Sequence, residues 1–169
     1  MKAWMVTLML LPALGACGGE EASNTVQQAT ALTPGQWEVT AETVSTEVTE
    51  AGGEPVIATK AGERTVAQVC VGAEERVPAA LFANTGEQCE FADYWVRNGR
   101  INNTVRCTRE GQEGTISHIA EGTFQAESFE ARRATTTAMA GPGDVRMESR
   151  LTGRRTGECA AQPAAPQAG

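Results

Sequence analysis

The chain has 169 residues, a length that suits a single domain. Its formal net charge of −7 argues against a nucleic-acid partner, because there is no excess of basic side chains to neutralise phosphates. With 41% apolar residues, only 5% aromatic residues and 18 glycines, the composition favours strands and turns over long helices.

The N-terminus predicts a signal peptide over residues 1–16. Lys2 supplies a positive charge, and the apolar run from Ala3 to Leu14 is interrupted only by Thr7 and Pro12. This run is too short to cross a bilayer, which needs roughly 20 residues, but it has the length of a signal-peptide core. A buried N-terminal helix is the competing interpretation, and the polar segment that follows disfavours it.

The end of the apolar run predicts lipid attachment. Leu14-Gly15-Ala16-Cys17 resembles the lipobox of bacterial lipoproteins, in which the chain is cleaved before the cysteine and its thiol receives a diacylglyceryl group. Two or more acyl chains hold a protein stably on a membrane. Gly18, rather than aspartate, follows the cysteine, so the sorting rule of enteric bacteria predicts the inner leaflet of the outer membrane, facing the periplasm.

The remaining chain divides into a tether, a domain and a tail. Residues 17–32 combine the lipidated cysteine with a small, polar stretch that predicts a flexible tether. Residues 160–169 are rich in Ala, Pro and Gln and predict a disordered tail. The folded domain is therefore expected over residues 33–159.

The domain begins with alternation typical of strands. In "GQWEVTAETVSTEV", the residues Trp37, Val39 and Ala41 share one face, and polar residues occupy the other. The segment "VIATKAGERTVAQVCV" predicts a second strand that ends near Val71, with a break at Ala61-Gly62. Both strands should have one buried face and one exposed face.

The later segments predict one helical piece and several hairpins. "EERVPAALFA" indicates a short helical segment, and "CEFADYWVRNGRINNTVRCT" indicates a hairpin. "GTISHIAEGTF" continues as a strand, and "SFEARRATTTAMA" and "VRMESRLTG" flank the turn "GPGD". We therefore predict a mainly β domain: an antiparallel meander of six to eight strands that forms a half-closed or closed barrel-like sheet.

The central hairpin allows two registers. A two-residue turn at Asn98-Gly99 sets Cys107 opposite Glu90, whereas a three-residue loop over residues 97–99 shifts the pairing by one residue. We prefer the three-residue loop, because it pairs apolar residues with apolar ones. It places the following residues opposite each other: Trp95 and Ile101, Phe91 and Val105, and Cys89 and Cys107.

The cysteines predict a disulfide framework. The chain has five, and assigning Cys17 to lipid leaves four in a domain expected in an oxidising compartment. We favour Cys89–Cys107 with Cys70–Cys159, since the hairpin register opposes the first pair and a meander brings the second pair to the same end. The alternative, which remains open, is Cys70–Cys89 with Cys107–Cys159.

Four segments together resemble a known family. "TPGQWEVT", "TVAQVCVG", "CEFADYWVRNGRINNTVRC" and "LTGRRTGEC" occur in the order seen in the domain of unknown function 3617, a family of small exported or lipid-anchored bacterial proteins. The resemblance covers roughly residues 33–159 and implies no known activity. Val71-Gly72-Ala73 stands where members often carry Leu-Thr-Pro, so the resemblance says least about residues 71–88.

The sequence predicts no enzymatic activity. His118 is the only histidine and lies in a strand pattern, so we expect a strand-surface or half-buried residue rather than a catalytic base. Glu74 and Glu75 are adjacent and loop-like, so their carboxylates should diverge. The arginine pairs in "EARRAT" and "GRRTGE" should be solvated. No cysteine spacing typical of metal sites is present, so no metal or cofactor is expected.

The predicted function is that of a non-enzymatic binding module tethered to the bacterial envelope. The candidate contacts are Trp37, Tyr94 and Trp95, and the candidate partners are a small apolar ligand or an envelope protein. Core packing is the competing interpretation for these aromatic residues, most strongly for Trp37. The alternative function is a structural accessory of the envelope or an inhibitor of a cationic enzyme such as lysozyme, since the N-terminal half of the chain is acidic.

Overall fold

A computed structural model describes residues 29–50 and 53–160 of the protein. The predicted signal peptide, Cys17 and residues 161–169 lie outside the described residues. A short 3-10 helix, Ala79–Phe82, is the helical segment expected from the sequence. In the described part of the chain, no helix is long and apolar enough to cross a membrane. The strands are β1 (Gly35–Glu50), β2 (Arg64–Val71), β3 (Glu87–Asp93), β4 (Val96–Arg97), β5 (Arg100–Arg109), β6 (Gln112–Gln125), β7 (Ser128–Met139) and β8 (Asp144–Gly157).

The strands form one antiparallel sheet in the order β2-β1-β8-β7-β6-β5-β3, with β4 also paired to β5. From β3 to β8 the chain is a meander, and β1 then lies beside β8, so that the first strand joins the last. The sheet curves into a half-barrel whose two end strands are β2 and β3. The predicted mainly β, antiparallel, half-closed fold is confirmed.

The core lies on the inner face of this half-barrel. Along β7, every second residue from Phe129 to Thr137 is buried, and the residues between them are exposed. The connection between β2 and β3 fills the concave side, because Leu81 and Phe82 of the 3-10 helix are both 0% exposed. The Phe82 ring centroid lies 5.8 Å from that of Phe129. The half-barrel is therefore packed with side chains.

The central hairpin contains a two-residue turn, so the preferred three-residue loop was wrong. Asn98 and Gly99 have φ values of 52° and 69°, the left-handed conformation that a type I′ turn requires at both positions. Val96 pairs with Ile101, and Trp95 therefore does not oppose Ile101. The Asn-Gly dipeptide was the stronger signal, because its two residues tolerate positive φ.

A bulge further along the hairpin restores the predicted cysteine pairing. The register shifts between Phe91 and Asp93, and after this shift Phe91 opposes Val105 and Cys89 opposes Cys107. The wrong loop and the unforeseen bulge each change the register by one residue, and the two errors cancel. A β-bulge inserts one extra residue in one strand, which is the shift observed here.

The two disulfides of the structure follow the preferred pairing. Cys89–Cys107 joins β3 to β5, and Cys70–Cys159 joins β2 to the chain beyond β8. The second bridge crosses over β1, which separates β2 from β8 in the sheet. The disulfides therefore fasten the strands at both ends of the strand order.

Two predicted boundaries are corrected by contacts in the structure. The carbonyl oxygen of Ala29 accepts a hydrogen bond of 2.9 Å from the Gly99 amide, and Leu32 is buried, so residues 29–32 belong to the fold rather than to the tether. The predicted break at Ala61-Gly62 is confirmed as a turn, with Gly62 at a φ of 83°, and the second strand begins only at Arg64 rather than at Val56.

Candidate functional site

A cleft of about 910 Å³ lies on the outer side of the sheet, beside the break between β3 and β4. We call it the Trp95 groove. It is open to solvent and combines an aromatic rim with charged side chains from β5, β6 and β7. Its main lining residues are Tyr94, Trp95, Arg100, Asn102, Glu121 and Arg132.

The strand break explains why two consecutive aromatic residues have different environments. Tyr94 and Trp95 lie between β3 and β4, outside both strands. The carbonyl of Trp95 accepts a 2.8 Å hydrogen bond from the Asn102 amide, which holds this segment against β5. Tyr94 packs edge-on against Phe91, with ring centroids 4.9 Å apart, whereas Trp95 remains 46% exposed.

Arg97 holds the exposed indole in place. Its guanidinium carbon lies 3.5 Å from the centroid of the Trp95 ring, which is the geometry of a cation–π contact. A planar guanidinium stacked in this way covers one face of the indole and leaves the rest of the ring for a partner. The contact therefore favours one orientation of the Trp95 indole at the surface.

The three predicted aromatic contacts fall in three environments. Trp37 is 0% exposed, and its indole nitrogen donates to the Thr33 carbonyl at 3.0 Å, so it is part of the core. Tyr94 is half-buried, and its hydroxyl accepts a hydrogen bond from the Val77 amide at 3.3 Å. Trp95 alone of these three presents a large exposed aromatic surface.

The charged lining of the groove comes from residues brought into register by three strands. Asn102 pairs with Glu121, and Glu121 pairs with Arg132. Arg100 lies two residues before Asn102 on the same exposed face of β5. Sequence reasoning did not identify these side chains, because their proximity depends on the register of β5, β6 and β7 together.

A second polar cluster lies inside the half-barrel and includes His118. Its Nε2 lies 2.7 Å from Glu87 Oε2, and its Nδ1 lies 2.8 Å from Thr135 Oγ1. The side chains of His118 and Glu87 are both 0% exposed. The expected strand-surface or half-buried position of His118 was therefore wrong. The alternation of His118 with the apolar residues Ile116 and Ala120 was the signal for an inward side chain.

Burial and hydrogen bonding set the charge states of this pair. Burial is the main cause that lowers the pKa of His118 below its ordinary value, although Glu87 opposes the change. Burial raises the pKa of Glu87, but its hydrogen bonds and charge interaction with His118, together with hydrogen bonds from Asn84, outweigh burial and lower it. Glu87 is thus an acceptor-only carboxylate, so a neutral His118 donates from Nε2 and accepts from Thr135 at Nδ1.

Arg133 is the buried cation of the cluster. It is 2% exposed, and burial lowers its pKa to about 10, so it stays charged at neutral pH. One terminal nitrogen donates to the carbonyls of Phe82 and Ala83 at 3.3 and 3.0 Å, and the other donates to Asn84 Oδ1 at 2.7 Å. The expectation of solvated arginines holds for Arg132 and was wrong for Arg133.

The same region brings three potential metal ligands together. Glu87, Cys107 and His118 place ligand atoms within 4.8 Å of one another. Cys107 is bonded to Cys89, however, and a thiolate rather than a disulfide sulfur is the ligand that metals prefer. With the disulfide intact, this cluster is better described as a hydrogen-bonded structural centre.

Fold and site together define a class: an open antiparallel half-barrel with two disulfides, a filled interior and an aromatic groove on its outer surface. The chain belongs to the family described as protein of unknown function DUF3617, whose model matches residues 32–159. The resemblance noted in the sequence is thereby confirmed. No curated protein and no solved structure matches the chain.

Proposed function

We propose that this protein is a lipid-anchored component of the bacterial envelope whose domain is a non-enzymatic module for binding a protein partner. The observation that carries the proposal is Trp95, which is 46% exposed, held by Arg97 and placed at the rim of a cleft of about 910 Å³. Tryptophan, tyrosine and arginine are the residues most often found at energetic hot spots of protein interfaces.

The packed interior favours an external partner over an enclosed apolar ligand. Leu81 and Phe82 fill the concave side of the sheet, and Trp37 belongs to the same core. The Trp95 groove, by contrast, is open and has both signs of charge, with Arg100 and Arg132 beside Glu121. Mixed charge at a rim around an aromatic anchor suits the specific recognition of a protein surface.

The position of His118 supports a non-enzymatic role. It is the only histidine of the chain, and both of its ring nitrogens are engaged inside the core. A general base must reach the proton that it removes from a substrate. His118 does not line the Trp95 groove, so a substrate bound in the groove would not meet it.

The lipobox and the tether support the proposed attachment. Cys17 precedes the first described residue, Ala29, by twelve positions. A flexible segment of this length has a root-mean-square span of about 20 Å, which would hold the domain close to the membrane surface. A partner reached through the Trp95 groove would therefore lie at or near the same membrane.

The lysozyme-inhibitor alternative has less support. Acidic residues of β1 lie opposite arginines of β8, so much of the negative charge of the N-terminal half is balanced within the sheet. Glu42 also forms an ion pair with Arg64 at 2.9 Å. The cross-strand partners are Glu38 and Arg154, Glu42 and Arg150, and Glu47 and Arg146.

Site-specific photo-crosslinking in intact envelopes tests the proposal. A photoreactive phenylalanine analogue in place of Trp95 is expected to yield a crosslinked product of defined mass. The matched control carries the analogue at Val66, which is 58% exposed on the edge strand β2. With the captured protein purified, Trp95→Ala should weaken direct binding by about 2 kcal/mol or more, as at other hot spots.

Two outcomes would contradict this function. Identical crosslinked products from positions 95 and 66 would show that capture does not depend on the groove. Unchanged affinity of the Trp95→Ala variant for the captured protein would show that the aromatic anchor is not part of the interface.

A further inference from the structure

A second cavity, of about 220 Å³, lies beside the polar cluster and is distinct from the Trp95 groove. We call it the Arg109–Arg133 pocket. Residues from β1, β2, β5, β7 and β8 and from the loop before β2 contribute to it. Its polar lining includes Thr43, Thr59, Thr65, Asn84, Arg109 and Arg133.

The pocket has two cations and no acidic residue among the side chains that line it in the described chain. Arg133 is 2% exposed and Arg109 has a side chain 27% exposed, so solvent screens these charges only partly. Hydrogen bonds occupy the terminal nitrogens of Arg133, and Arg109 donates to the Val56 carbonyl at 2.9 Å. The Nε atoms of both arginines have no partner but are enclosed by the fold, so the donors that face the pocket are the remaining terminal N–H groups of Arg109.

Charge balance around the pocket is incomplete. Glu87 is the carboxylate nearest to these arginines, with Arg109 at 3.5 Å, while His118 is held neutral by its burial. Two guanidinium cations thus face a single carboxylate, and one positive charge remains. An uncompensated charge in a protein interior is costly, and a bound monoanion would remove that cost.

Two threonines add independent evidence for a missing acceptor. The Thr59 hydroxyl lies 3.0 Å from the Met147 sulfur, and the buried Thr43 hydroxyl lies 4.0 Å from the same atom. A thioether is a weak acceptor. Both hydroxyls line the pocket and can turn towards a stronger acceptor inside it.

We infer that the Arg109–Arg133 pocket binds a short-chain organic monocarboxylate. Its carboxylate accepts hydrogen bonds from Arg109 and from the threonine hydroxyls, with the charge of Arg133 nearby, and its short chain contacts the apolar side of the pocket, formed by Val56, Ile57 and Met147. The cavity has the volume of about seven water molecules, which limits the ligand to a few carbons. Inorganic phosphate fits less well, because it has no apolar part to contact Val56, Ile57 and Met147.

Nuclear magnetic resonance of the whole chain, with both disulfides intact and methionine methyl groups labelled, tests this inference. Met147 lines the pocket and is 2% exposed, so its methyl group reports on the site directly. We expect butyrate to shift the Met147 signal in a saturable way at constant ionic strength. Butanol, inorganic phosphate and chloride should give weaker, non-saturating shifts.

Variants connect the signal to the proposed donors. Arg109→Met should weaken butyrate binding about tenfold or more, the loss expected for a charge-assisted hydrogen bond. Thr59→Val keeps the side-chain shape and should weaken it about fivefold. The matched controls are Arg106→Met and Thr136→Val, both at exposed positions, which should leave the affinity unchanged. Arg133 is not substituted, because it holds the end of the 3-10 helix.

Several results would overturn the inference. A Met147 shift that does not saturate would show that butyrate has no site here. Equal shifts with butanol would show that the charge is not recognised, and tighter binding of phosphate would exclude the monocarboxylate. An equal loss of affinity in Arg106→Met and Arg109→Met would locate the binding elsewhere. None of these outcomes depends on whether Trp95 binds a protein.

Discussion

His118 shows how one buried side chain can make the stability of this domain depend on pH. The folded chain keeps the imidazole neutral between Glu87 and Thr135, with a pKa below the ordinary 6.5. The unfolded chain therefore binds a proton at a higher pH than the folded chain does, and the free energy of unfolding falls on acidification below 6.5. The slope is at most about 1.4 kcal/mol per pH unit.

The variant His118→Gln should remove this slope between pH 6.5 and the range where carboxylates titrate. Glutamine can still donate to Glu87 but does not titrate, and the chain has no other histidine. Urea unfolding of both proteins at several pH values measures the difference. Glu87 affects stability in a separate pH range. Its pKa is lowered in the folded chain, so the stability that it contributes is lost only below pH 4.5, its ordinary pKa. An equal slope in His118→Gln would contradict the assignment.

Gly153 must lack a side chain, because the ring of Phe129 occupies the space beside it. It pairs with Phe129 across β7 and β8, and a methyl group at Gly153 would overlap the Phe129 ring. Gly153→Ala should therefore lower the free energy of unfolding by about 1–3 kcal/mol. The measurement is chemical unfolding of the single variants and of the double variant with Phe129→Leu. The costs should be less than additive, since the smaller leucine relieves the overlap, and strictly additive costs would contradict this explanation.

At the scale of strands and loops, the central hairpin shows what local sequence can predict. The Asn98-Gly99 dipeptide correctly located the turn of the hairpin. The type of turn sets the register of the two strands, and the bulge at residues 91–93 then shifts that register by one residue. The bulge has no local signal comparable to the Asn-Gly dipeptide, and it lies where Phe91 packs edge-on against Tyr94. The predicted Cys89–Cys107 pairing agrees with the structure only because the missed bulge compensates for the wrong loop.

The two disulfides should differ in their contribution to stability. Cys70–Cys159 spans 89 residues and Cys89–Cys107 spans 18. In the chain-entropy model, removing the longer bridge with a pair of serines costs about 4.6 kcal/mol and removing the shorter one costs about 3.2 kcal/mol. Thermal or urea unfolding of the two double-serine variants compares them under identical conditions. A larger loss from the Cys89–Cys107 variant would indicate that packing around β3, rather than loop length, controls the difference.

For the whole molecule, the lipid anchor that we propose at Cys17 would connect the fold to its location. We expect mass spectrometry of protein extracted from envelopes to find an acylated Cys17 as the first residue. Cys17→Ser should abolish acylation, because the thiol that accepts the lipid is lost. It should also prevent cleavage of the signal peptide from the precursor. Cys159→Ser is the matched control and should leave anchoring unchanged. An exported protein that retains Met1 would contradict the anchor.

Several features could be predicted from local order and composition alone. The run that ends at Cys17, the alternation along each strand, the Asn98-Gly99 turn and the even number of remaining cysteines each depend on residues close together in the chain. Strand alternation alone predicts which face is buried, since successive side chains point to opposite sides. The mainly β fold followed from these local patterns.

Features that need several strands in register could not be predicted in this way. The Trp95 groove takes Arg100, Glu121 and Arg132 from three neighbouring strands. Glu87 and His118 meet because they lie on strands β3 and β6, which flank β5 in the sheet, and both side chains are buried. A shift of one residue in any of these registers would turn the side chains to the other face. The register between distant strands therefore decides which of the candidate residues come together in a site.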